Sequence, residues 1–433
     1  MKKLVSLVLC MVLCLTLCTS ALAENEPLHI TFWHNRGAGA QHEVVKASVD
    51  DFNEGIGKEK GIFVDEVFVG GYGDLYTKIG LANQAGDAPT VMVIGCVRVG
   101  MLMDDDLIVD MAPYAEATGF DTSNLADCFM EVFGNTDGHL YSIPYIRSAP
   151  VFYYNKTIAD QMGLTPPETI EEMKEFCKAQ TVVKENGEVE RWGFELYNSF
   201  TFLQACFLLQ KGQPLLDENG ESPAVEGGAM LEFLSDWKSW VDEGWCRPFD
   251  STNAGSILTE MFFQGKVAAF VDSCANMSNY TKFMKEPGYE LGVAPYPTYD
   301  KNNKAVTLGG GNLVLVDCGN SEEQKQAGWE FLQYLMTDER VAKEAIGSGY
   351  LPVTKSVSDS ELMKAYWEEN PNFKVAYDEL IEYGTCQEMP FVLYRNEYGA
   401  NCESACSLLI QEGSITPEEA VKMIRENAAY LKL

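Results

Sequence analysis

Across residues 28–94 the sequence alternates between β-rich and helical patterning, and that alternation constrains the fold more than any other feature. Residues 28–33 are β-rich with alternating apolar positions, and residues 42–53 carry Val44, Val45, Val49 and Phe52 near helical spacing. Residues 62–69 read as a second strand, residues 72–85 as a helix closed by Gly86-Asp87-Ala88-Pro89, and residues 90–94 as a third strand. Strand–helix–strand–helix order predicts an open parallel sheet flanked by helices. Ligands of such sheets bind beyond the carboxyl ends of the strands. That rule gathers Trp33, His34, Gly70 to Tyr72 and Gly95 to Arg98 around one cleft.

Residues 144–150 are extended, punctuated by Pro144 and Pro150, and too polar at Arg147 for a central strand, which suits a hinge. Helical patterning follows at 168–179, 201–210, 228–243 and 256–264, then a strand at 266–271. Residues 308–316 return as a strand. Residues 321–346 read as helical up to a break at Gly347-Ser348-Gly349, and the tail from Ser360 is mostly helical. A chain of 433 residues exceeds what one core organises. Three hinge-like crossings predict two α/β lobes, each discontinuous: 24–147 with 308–348, and 148–307 with 349–433.

The first 23 residues have the form of a secretory leader, with Lys2 and Lys3, an apolar run over 4–17, and Ala21-Leu22-Ala23 before Glu24. The apolar run is shorter than the roughly 20 residues that span a bilayer. Leu precedes Cys10, Cys14 and Cys18, where lipid attachment takes a small residue. The expectation is therefore an exported, periplasmic or extracellular chain, with a lipid-anchored form as the alternative. A net charge of −32 opposes binding to nucleic acid and anionic lipid. Of the 13 cysteines, the ten beyond the leader are scattered, apart from Cys402 and Cys406 one helical turn apart. With no C-x-x-C pair and no Cys/His cluster, no metal site is expected.

Three segments stand out: YSIPYIRSAPVFYYNK at 141–156, GGGNLVLV at 309–316 and SGYLPVT at 348–354. They resemble the places where the family 1 extracellular solute-binding proteins of ABC importers pass between their lobes. The likeness is greatest to the carbohydrate and glycerol-3-phosphate branch. FWH at 32–34 resembles the family's first strand, and AGDAPTVMVI, TPPETIEEM, MFFQGKVAAF, LGVAPYP and GWEFLQYL follow in family order. The ordered set is specific where no single motif is. The resemblance implies a two-lobed, type II periplasmic-binding-protein-like fold. It also implies a small-molecule ligand in the interlobe cleft, hinge closure, docking on ABC permease subunits, a monomer and no cofactor.

Enzyme signatures such as G-x-S-x-G, H-E-x-x-H and G-x-x-x-x-G-K are absent. A secreted carbohydrate-active enzyme, the rival from another class, needs two carboxylates facing one cleft, and no spacing points to a pair. Binding chemistry instead falls to aromatic faces and a few polar groups. Tyr72, in Gly70-Gly71-Tyr72-Gly73, and Tyr350, after Gly349, match contact positions of the glycerol-3-phosphate branch. Ser148, with Arg147 beside it, faces the cleft by the same resemblance. Gly309, Gly310 and Gly311 suit a hinge and also let backbone N–H groups approach a ligand. Trp33 and His34 balance ligand contact against core packing, while Arg98, Trp245 and Asp272 read first as structural. The branch's acidic residue after the third strand falls on Cys96, and its C-terminal arginine on Ala400, with Arg395 nearby. Loss of that arginine weighs against a phosphate, which calls for charge-assisted donors. A sugar or short oligosaccharide is the expected ligand, with glycerol-3-phosphate or a glycerophosphodiester as the alternative.

Overall fold

The computed structural model describes residues 26–130, 135, 138–249, 254–383 and 394–431. The leader and its three cysteines lie outside them. Ten strands build two five-stranded sheets. They are β1 (Leu28–His34), β2 (Ile62–Phe68), β3 (Val91–Gly95), β4 (Ile143–Ser148), β5 (Pro150–Asn155), β6 (Phe194–Glu195), β7 (Cys246–Arg247), β8 (Ala269–Ser273), β9 (Leu291–Ala294) and β10 (Gly309–Leu315).

The first sheet has the order β2-β1-β3-β10-β4. β1 runs parallel to β2 and β3, connected by helices α1 (Gly39–Glu54) and α2 (Tyr72–Ala85). Every residue of β3 is buried, as a strand covered on both faces requires, whereas the edge strand β2 alternates buried Ile62 and Val64 with exposed Phe63 and Asp65. β10 lies antiparallel between β3 and β4. The second sheet has the order β9-β5-β8-β6-β7 and mixes antiparallel and parallel pairs.

The chain changes sheet twice, and a third segment runs beside those two places. Only Ala149 separates β4 from β5. β10 returns to the first sheet beside β4, pairing Gly309 with Ser148 and Gly310 with Arg147. On the other edge of β4, Leu351 N–H donates to the Arg147 carbonyl at 2.8 Å. Two α/β lobes therefore meet along a ribbon of three neighbouring segments.

Two readings change. Residues 321–346 form not one helix but two, Glu322–Leu335 and α3 (Asp338–Ser348). Thr337 takes the extended cap conformation, and Asp338 and Glu339 sit where the helix dipole favours negative charge. α3 then ends on Gly349, whose φ of 96° suits a glycine cap. The other concerns residues 144–150, read as an extended hinge too polar at Arg147 for a central strand: the segment does lie at the sheet edge, but it is buried. Residues 143–148 form a fully buried edge strand. Arg147 is accommodated because its side chain turns inward, donating to Asn312 Oδ1 at 3.4 Å with its guanidinium 5.5 Å from the Phe129 ring centre.

Candidate ligand-binding cleft

A cavity of about 410 Å³ opens beside the three crossings. The first lobe contributes Tyr72 and the turn Gly95 to Arg98 that leaves β3. The crossings contribute Ser148, Leu308 to Gly310 and Tyr350. The second lobe contributes Tyr197, Phe202 and Asp272, and helix α4 (Arg395–Cys406) contributes Arg395 and Asn396. Of the residues singled out in the sequence, Tyr72, Arg98, Ser148, Asp272, Gly309, Gly310 and Tyr350 thus share one wall.

Tyr72 opens α2, and its ring lies on Gly95: a Cβ there would come within 3.1 Å of it. Its hydroxyl reaches towards Gly311, where a Cβ would sit 2.8 Å away. The hydroxyl is buried beside that of Tyr350, without a well-formed hydrogen bond. Burial pushes both phenols up, that of Tyr350 to about 12, so both remain neutral donors. Gly310 has a φ of 98°, and a Cβ there would lie 1.9 Å from the Ile146 carbonyl oxygen, so the crossing needs glycine at this position.

Arg98 is partly buried, with its guanidinium 5.9 Å from the Tyr76 ring centre, and desolvation lowers its pKa. Among the described residues it has no carboxylate ion partner. Arg395, at the start of α4, is buried against the same cavity. Asp272 lies opposite in sequence origin, at the end of β8. Its Oδ1 accepts from Tyr197 Oη at 2.8 Å and from Ser273 N at 2.7 Å; its Oδ2 accepts from Asn276 Nδ2 at 2.9 Å and from Tyr280 Oη.

The other sequence candidates do not line the cavity. Trp33 packs against the core between α2 and the first sheet. His34 is fully buried; its Nδ1 accepts from Arg36 N at 3.1 Å and its Nε2 contacts Glu66 Oε1 at 2.9 Å. Trp245 packs 5.6 Å from Trp240 in the second lobe and donates to Glu243. Arg147 points into the first lobe, and Gly311 lies behind Tyr72. Sequence reasoning missed Tyr197, Phe202 and Asn396, and noted Arg395 only as a neighbour of a lost position. Cys96, which replaces the branch's acid, is in the wall.

The buried His34 carries a prediction of its own. Burial foremost, then the charges of Arg36 and His42, push its imidazole down to about 3. Between an unfolded value of about 6.5 and that folded value, the unfolded chain binds a proton that the native state refuses. Stability should therefore fall as pH drops through this window, with His34 contributing up to about 1.4 kcal/mol per pH unit. Urea denaturation across the window checks it, and His34→Gln should flatten the slope.

Residues 47–374 match the family model for bacterial extracellular solute-binding proteins. The chain belongs to that family. Among its relatives, the sn-glycerol-3-phosphate-binding periplasmic protein UgpB of Rhizobium meliloti is 25% identical over 353 residues, covering 79% of each chain. UgpB of Yersinia pestis is 26% identical over 396 residues, covering 86% of this chain and 84% of its own. Solved structures of similar fold include UgpB from Mycobacterium tuberculosis in complex with glycerophosphocholine, with TM-score 0.79 and 19% identity over 93% of this chain and 97% of that one. The maltose/maltodextrin-binding domain MalE from Bdellovibrio bacteriovorus bound to maltotriose has TM-score 0.77 and 19% identity, covering 93% and 99%. The fold is that of the type II periplasmic binding proteins.

In this solute-binding chain most of the described cysteines are buried. Burial pushes Cys206 and Cys274 up to about 12, which keeps them in the unreactive thiol form. They serve as small apolar packing groups.

Proposed function

We propose that this protein is the extracytoplasmic receptor of an ABC importer. It captures a small polyhydroxylated solute between its lobes and passes it to membrane permease subunits. The observation that carries this reading is one cavity, at the crossings, walled by both lobes and lined by phenol and amide groups. Its volume falls at the small end of ligand sites. Groups drawn from both lobes favour the closed state only when a ligand bridges them, so binding and hinge closure are coupled. We take the lobe boundaries to lie at 147/148, 307/308 and 348/349, near the neighbouring crossing segments. We take the exported form to be a monomer without lipid anchor or cofactor. Among the described residues that line the cavity Asp272 is the one carboxylate, whereas glycoside hydrolysis needs two. That favours binding over turnover.

Tyr72, Tyr197, Phe202 and Tyr350 offer faces and hydroxyls for a sugar, and a protein of the same fold is bound to maltotriose. The second reading, a glycerol phosphate or its diester, is favoured by Arg98 and Arg395: Arg395 supplies at the wall the arginine missing at Ala400. Isothermal titration against mono- and oligosaccharides, glycerol-3-phosphate and glycerophosphodiesters is expected to show saturable one-to-one binding to one of these classes. Cleavage of a glycan, with no saturable binding of any of them, would overturn the receptor reading.

A further inference from the structure

Phe200–Gln204 form a turn of π-helix that runs on into the α-helix Ala205–Gln210. Such wide turns recur at functional sites, and this one sets Thr201 and Phe202 in the cavity wall, just after Tyr197. Phe200 opens the helix, so its N–H has no acceptor within it. That donor is met from outside, by Glu403 Oε1 at 3.1 Å. Glu403 lies on α4, about two turns along from Arg395 and Asn396, which reach the same cavity from the start of that helix.

The two elements lie close along this length. Asn198 Nδ2 donates to the Glu403 carbonyl at 2.7 Å, and a Cβ at Gly399 would stand 2.5 Å from Thr201 Cγ2. Other bonds brace the π-turn without touching α4. Gln204 joins the Tyr197 carbonyl to the Ser199 N–H, and Thr307 Oγ1 donates to the Phe202 carbonyl at 2.7 Å. Among the described residues, Glu403 is therefore the one side chain of α4 hydrogen-bonded to the π-turn. It is half-buried and stands behind the cavity wall. Desolvation raises the pKa of its carboxyl, and the Phe200 N–H opposes that shift.

We propose that Glu403 is a positioning residue of the solute site. Through the Phe200 N–H it fixes the wall of Tyr197, Thr201 and Phe202 at its distance from the wall of Arg395 and Asn396. The proposal rests on the cavity being the solute site, since a solute touching both walls loses contacts when either shifts. Isothermal titration with maltotriose, glycerol-3-phosphate and sn-glycero-3-phosphocholine tests it, at a temperature where circular dichroism shows every variant fully folded. For the probe that the wild type binds best, Glu403→Leu should weaken binding at least about tenfold. Glu403→Gln, which keeps a carbonyl acceptor for Phe200, should stay within about threefold of wild type. Asn396→Ala should weaken the wild type clearly and the Glu403→Leu variant much less, because that contact is already displaced. Should the leucine variant not fold, Glu403→Asp, whose carboxylate stops one methylene short of the Phe200 N–H, replaces it with the same outcomes. Wild-type affinity in the leucine variant, equal losses with leucine and glutamine, or additive losses with Asn396→Ala would each overturn the positioning role and leave the receptor reading in place. A wild-type protein that binds none of the three probes would overturn both.

Discussion

Glu344→Ala is expected to cost about 3–5 kcal/mol of unfolding free energy, because it strands a buried guanidinium. Arg36 is fully buried and donates to Glu344 Oε1 at 2.6 Å, while Tyr145 Oη donates to Oε2 at 3.1 Å. Burial works against the Arg36 charge, and Glu344, with Tyr145, more than offsets it, so its pKa is raised. Without the carboxylate, that desolvation stands uncompensated. Urea denaturation should show the loss as a lower midpoint at unchanged slope. The Arg36→Met/Glu344→Leu double variant should recover most of it, since well-packed apolar residues commonly replace a buried ion pair at little cost. Binding should weaken as well in the single variant. Ser348 Oγ donates to the Glu344 carbonyl and accepts from Tyr350 N, so α3 sets the height of Tyr350 in the cleft.

Gly310→Ala should be as severe by a different route. A methyl group there meets the Ile146 carbonyl at 1.9 Å and the Arg147 Cα at 3.0 Å, both parts of β4 backbone that cannot swing aside. The left-handed conformation alone costs about 1–3 kcal/mol for a residue with a side chain. The clash adds to that by prising β10 from β4. Thermal denaturation should show a large drop in midpoint, and ligand affinity should fall at least about tenfold because the crossing forms the cavity floor. Gly61→Ala is the control. Its φ is 69° but nothing lies within 4 Å of the added Cβ, so only about 1 kcal/mol of conformational cost is expected. Equal losses at the two sites would show that the crossing is not sterically locked.

Local patterning made the first sheet legible. Strands β1 to β3 and helix α2 follow from alternation, helical spacing and the Gly-Asp-Ala-Pro stop, and the carboxyl-end rule brought Tyr72 and Arg98 to the cleft. The same rule misled at Trp33 and His34. Successive strand residues point to opposite faces, and here both faces are covered, Trp33 by the α2 side and His34 by its bonds to Arg36 and Glu66. The resemblance set Arg147 at the cleft beside Ser148; its turn towards Asn312, 165 residues away in sequence, left no local signal. The Arg36–Glu344 pair spans 308 residues, beyond any local pattern. The split at Met336 and Thr337 was present in the sequence as Thr-Asp-Glu, a cap followed by acids, but continuous apolar spacing hid it. Arg395 was noted only as a neighbour because a gapless placement put the expected arginine five positions later, at Ala400, and a helix of the C-terminal tail carries Arg395 to the cavity instead.

The place of β10 in the first sheet bears on how such a chain is made. β3 and β4 are both synthesised before the second sheet, yet neither touches the other: the strand between them is drawn from residues 309–315. Until the ribosome has passed that point, the amino-terminal lobe has a gap at its centre, with two unpaired strand edges facing it. Pairings so distant in sequence form slowly. A precursor of an extracellular protein has to stay unfolded until it has crossed a membrane, and this order of strands delays closure of the first lobe until nearly three quarters of the polypeptide has emerged.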